Sequence, residues 1–209
     1  MSRWRPDLAA TVTVLGCDAT SLAGPAASVA APDGGWDAAA LQLALGALAA
    51  GPVLQVRVAP DLCRHFVMEA AAGLRSLAEL RELAALRAAQ LFGGAAEGWA
   101  VVADWRLDAP FACAALPQSL LRALREAAAA RRLGVVSALL LAVQGLLEGP
   151  ARSGFVGFAT PRHAVLLGLR GGQLGSLHAA RRAEADDTNA LTNQLSRSAA
   201  REALLGGQA

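Results

Sequence analysis

VLQVRVAPDLCRHFVM, residues Val53 to Met68, is the stretch on which the fold turns. From Val53 to Val58 apolar residues alternate with Gln55 and Arg57, the two-residue period of a half-buried strand. Pro60-Asp61 breaks the run. Cys63 to Met68 is again short and apolar, so it reads as a second strand.

Upstream, Thr11 to Cys17 is β-branched and alternating, a first strand that runs into the turn-like Asp18-Ala19-Thr20-Ser21. Gly24 to Gly35, rich in glycine, proline and alanine, reads as an exposed connection. Asp37 then starts a helix to about Ala49, with Leu41, Leu45 and Leu48 at helical spacing, and Gly51-Pro52 closes it.

Downstream, a long amphipathic helix is predicted from Leu74 to Leu91. Leu77, Leu80, Leu83, Leu86 and Leu91 form its expected core stripe, and Glu79, Arg81, Glu82 and Arg87 face water. Gly93-Gly94 stops it. Trp99 to Trp105 and Phe111 to Ala115 are a strand pair around Asp108-Ala109-Pro110, and Pro117 opens a helix to about Arg131. Leu133 to Leu147 holds a strand leading into a helix, with no periodicity to place the junction. Phe155–Phe158, His163–Leu169 and Leu174–His178 form a meander, and a helix from Asp187 to Leu205 follows. This order predicts mixed α/β with antiparallel hairpins rather than a uniform βαβ repeat.

Composition narrows the chemistry. Over 209 residues, 55% are hydrophobic and the net charge is +2. Lysine, isoleucine and tyrosine are all absent, as a GC-rich genome would produce. That excludes a Walker-type lysine, a Schiff-base lysine and a tyrosine acid or base. Arg131-Arg132 and Arg181-Arg182 are the densest basic spots and do not make a nucleic-acid face. Cys17, Cys63 and Cys113 are widely spaced and odd in number, which predicts buried free thiols rather than disulfides or zinc ligands. No apolar core of a signal peptide follows Met1, and no apolar run reaches the 20 or so residues of a membrane span, so direct membrane insertion is not expected.

No catalytic constellation stands out. His65, His163 and His178 have no nucleophile in a recognised local motif, and structural or solvent-facing roles are expected for them. The glycine pairs fit turns and helix stops, and the scattered carboxylates, Asp104 and Asp108 among them, fit solvation and capping. Trp99 and Trp105 share one strand parity, which predicts a common core face, with a partner groove as the alternative.

The segment order resembles that of the actin-like cytoplasmic proteins of the PilM family of type IV pilus assembly and their type II secretion relatives of the GspL family. The resemblance is carried by a first strand, a Trp-bearing helix, the strand pair Val53–Met68 and the Trp-led strand Trp99-Ala-Val-Val-Ala-Asp104. It continues through a strand end, proline and helix from Ala115 to Leu124, then the strand Leu133-Gly-Val-Val-Ser137, and extends over residues 10 to 205.

The resemblance implies an RNase H-like, actin-like ATPase fold with a mixed sheet and antiparallel hairpins. That fold would form one reduced domain over 1–209, or two small lobes at 10–115 and 116–205. It also implies a cytoplasmic scaffold held at the inner membrane by a bitopic PilN-like partner, in contact with the assembly ATPase system and able to form homo-oligomers. Actin-like ATPases grip phosphate with two glycine-rich hairpins, each carrying an aspartate. The first would correspond to Gly16–Ser21, where Asp18, Thr20 and Ser21 are the residues to hold ATP if a nucleotide binds. The second would correspond to Gly154–Thr160, which contains no acid to hold Mg²⁺ or position water. No cofactor, no metal and no enzymatic turnover are therefore expected.

Overall fold

The computed structural model describes residues 11–16, 26–30, 53–58, 60–69, 73–128, 132–148, 153–159, 163–181, 192–193 and 195–201. The first helix expected, Asp37 to Ala49, lies outside them, as do Cys17, Asp18, Thr20 and Ser21.

Among the described residues, ten strands, β1 to β10, form three sheets. The first sheet has the order β2–β1–β3–β7. In it β1 (Thr11–Gly16) runs antiparallel to β2 (Ala26–Ala30) and to β3 (Val53–Val58), and β3 runs parallel to β7 (Arg132–Ser137). β2 corrects the expectation of a plain connection from Gly24 to Gly35. Ala26 to Ala30 has little strand propensity of its own, but the β1 edge supplies a partner ladder, Thr11 with Ala30 through Leu15 with Ala26.

A 3₁₀ turn at Pro60–Leu62 carries the chain from β3 to β4 (Arg64–Met68), which opens the second sheet, β4–β6–β5. Its other strands are β5 (Trp99–Ala103) and β6 (Phe111–Pro117), both antiparallel to their neighbours as the hairpin reading required. Pro117 ends β6 opposite Trp99, and α2 (Gln118–Ala128) starts at the next residue.

This second sheet is covered on both faces, and its pleat decides which residue goes where. Phe66, Met68, Phe111, Cys113 and Ala115 point to one face, under α1 (Leu77–Phe92). Ala100, Ala114 and Leu116 point to the other, where they meet Val56 and Val58 of β3 and Leu120, Leu124 and Ala127 of α2. Trp99 and Trp105 both pack on the α1 face, so the common core face is what forms. The Trp99 indole N–H donates to the Gly93 carbonyl at 2.8 Å, and Arg81 of α1 lies 5.5 Å from the Trp105 ring.

α1 starts where Ser76 accepts from the Glu79 amide at 3.2 Å, while the Glu79 carboxylate accepts from the Arg75 amide at 3.0 Å. It stops at Gly93, whose φ of 84° and ψ of 170° suit glycine alone. The leucine stripe expected along this helix is not its core face. Leu80, Ala84 and Ala88 are buried, whereas Leu77, Leu83, Leu86 and Leu91 are exposed. Spacing of four residues puts Leu80, Ala84 and Ala88 on one line, and the alanines bring the helix backbone close to the sheet.

β7 passes directly into α3 (Ala138–Leu147), which fixes the junction that periodicity left open. The third sheet is the expected meander, β8 (Gly154–Ala159), β9 (His163–Arg170) and β10 (Gln173–Arg181), antiparallel throughout. Val165, Leu167, Leu169, Leu174 and Leu177 turn one of its faces to Leu139 and Val143 of α3. β10 also packs beside β4. Residues 192–193 and 195–201 are helical, inside the last helix the sequence predicts.

Candidate functional site

Among the described residues, Cys63, His65 and Ser137 are polar side chains that the fold draws together in its interior. β4 sends Phe66 and Met68 toward α1, so His65 must point the opposite way, toward the β7–α3 junction. Ser137, the last residue of β7, stands at that junction with no solvent exposure. Its position is the N-cap of α3, yet its side chain makes no capping hydrogen bond. The hydroxyl instead shares a 3.0 Å hydrogen bond with His65 Nε2, across 72 residues of sequence, and it stands close enough to the Cys63 thiol to favour the ionised form of that thiol. In the tautomer that carries its proton on Nε2, His65 donates to the hydroxyl oxygen and leaves the hydroxyl proton free to face the Cys63 sulfur.

Electrostatics keeps the set neutral. Burial pushes the His65 imidazole down to about 3, and the neighbouring positive charge of His163 and Arg64 pushes the same way. Burial pushes the Cys63 thiol up to about 12, partly offset by its bond to Ser137. A base this weak and a thiol this hard to ionise suit neither proton abstraction nor nucleophilic attack near pH 7. Nor is Ser137 held on a strained elbow, since its φ of −83° and ψ of 130° are ordinary extended values. The trio pins β4 to the β7–α3 junction. Sequence reading left His65 a structural or solvent-facing role and missed Ser137, whose available signal was a lone hydroxyl between an apolar strand and an apolar helix.

The remaining predicted residues do not join this cluster as a site. His163 is buried at the head of β9 and lies near enough to His65 to act on it electrostatically, whereas His178 is exposed on β10. Cys113 is buried under α1, its thiol also raised by burial. Asp104 is exposed, and Asp108 forms a surface ion pair with Arg106 at 3.4 Å that holds its carboxyl below the usual range. Among the described residues no three His, Cys, Asp or Glu side chains converge as a metal would require, and no helix is long and apolar enough to cross a membrane.

Asp18, Thr20 and Ser21 lie outside the described residues, but the ends of their segment do not. The strands before and after that segment, β1 and β2, pair antiparallel, Leu15 with Ala26. Gly154 to Ala159, most of the second segment that the resemblance implies, is the strand β8 and reads GFVGFA.

No family model matches the sequence, and no curated protein does. Among solved structures, the chain is similar to the cytoplasmic domain of EpsL, an inner membrane component of the type II secretion system of Vibrio cholerae, at 15% identity and a TM-score of 0.45. That alignment covers 83% of this chain and 66% of the other. It is also similar to a chain of the PilM–PilN type IV pilus biogenesis complex, at 18% identity and a TM-score of 0.46, over 74% of this chain and 53% of that one. The chain thus spans less than two thirds of either neighbour's length.

Proposed function

We propose that the chain is a reduced actin-like assembly protein that works by binding and not by turnover, as a scaffold of a type IV pilus or type II-like secretion platform. Its partner in this reading is the cytoplasmic tail of a bitopic, PilN-like inner-membrane protein, which holds it at the membrane face beside the assembly ATPase. The observation that carries the non-catalytic reading is β8. A second phosphate hairpin needs an acid for Mg²⁺ or water, and Gly154–Ala159 offers only glycine, phenylalanine, valine and alanine. The scaffold assignment rests on the segment order from residue 10 to 205. Pull-down of the full chain with the cytoplasmic tails of bitopic proteins encoded beside it tests the reading. Retention of one such tail is expected, and failure to retain any would overturn it.

One observation favours a second reading, an actin-like nucleotide binder with a degenerate site. The segment between the antiparallel strands β1 and β2 carries Asp18, Thr20 and Ser21, as a first phosphate loop would. Calorimetry with ATP and Mg²⁺ separates the two. A nucleotide at 100 times its Kd would stabilise the fold by about 2.7 kcal/mol, so a flat titration with no thermal shift removes the second reading.

A further inference from the structure

We draw no further inference here: the strongest candidate, the outer face of α1 on which Leu83 and Leu86 stand exposed, carries nothing because nothing in the structure shows what covers it.

Discussion

Replacing Ser137 with alanine tests the buried cluster most directly. The change removes one oxygen and leaves a methyl of nearly the same size, so the cavity cost that dominates most core truncations is small. Ser137 makes no capping bond, so α3 loses no cap. What is lost is the partner of His65 Nε2 at 3.0 Å, together with the polar neighbour of the Cys63 thiol. A buried polar group left without its partner costs about 1–3 kcal/mol, and His65, being half-buried, belongs in the lower part of that range. His65→Leu leaves the fully buried Ser137 hydroxyl with only the weakly accepting Cys63 sulfur and should cost about as much. The double variant strands neither group. The two single losses should therefore exceed the double loss by about 1–2 kcal/mol, read as a coupling energy from urea unfolding at constant m. Losses that add within about 0.5 kcal/mol would show that the hydrogen bond is incidental and refute this account of the cluster.

The same histidine sets a pH dependence. Its folded pKa of about 3 lies below its ordinary 6.5, so between those values the unfolded chain binds the proton that the folded chain refuses. Its contribution to stability is complete above pH 6.5 and declines as pH falls toward 3, by up to about 1.4 kcal/mol per unit. The unfolding free energy of His65→Leu, followed from pH 7 to 4.5, should accordingly fall less steeply than that of the wild type. At the end of α1, Gly93→Ala should cost about 1–3 kcal/mol in thermal or urea unfolding, although a Cβ there meets no atom, because the cost lies in its φ of 84°. Gly98→Ala, equally open and without positive φ, should be neutral or stabilising by up to about 1 kcal/mol. On α1 itself, Ala84→Leu should destabilise by about 1–3 kcal/mol through overpacking, while Leu86→Ala, at a site 53% exposed, should stay within about 0.5 kcal/mol. Urea midpoints of the two variants check that inversion.

Much of the architecture was legible because strands announce themselves locally. Val53–Val58 alternates, Phe111–Ala115 is a short apolar run, and the meander is punctuated by Gly171-Gly172, whose positive φ values make its second turn. β2 was not legible, since Ala26–Ala30 becomes a strand only by pairing with β1, an interaction with no local signature. The junction of β7 and α3 was ambiguous for a related reason. LGVVSALLLAV is apolar but for Ser137, and both a buried strand and a buried helix are written that way. The cluster was legible only in part: His65 could be placed in a strand, but nothing in the sequence links it to Ser137, 72 residues on.

The misread stripe on α1 has a more general cause. In a chain this rich in leucine and alanine, leucines fall at helical spacing on more than one side, so their periodicity carries little information about which side is buried. What selects the face is the distance at which the helix can lie. The sheet beneath α1 already presents bulky groups, Phe66, Met68, Phe111 and the two tryptophans, so the helix side of that contact must be small to keep interior density. Ala84 and Ala88 meet that requirement and Leu83 and Leu86 do not, which leaves the larger side chains outside. Gly157 beneath Leu195 is the same rule with the sizes exchanged, a small strand residue admitting a large helical one. In both places the buried face is set by complementarity of size between two elements, a property that neither segment carries alone.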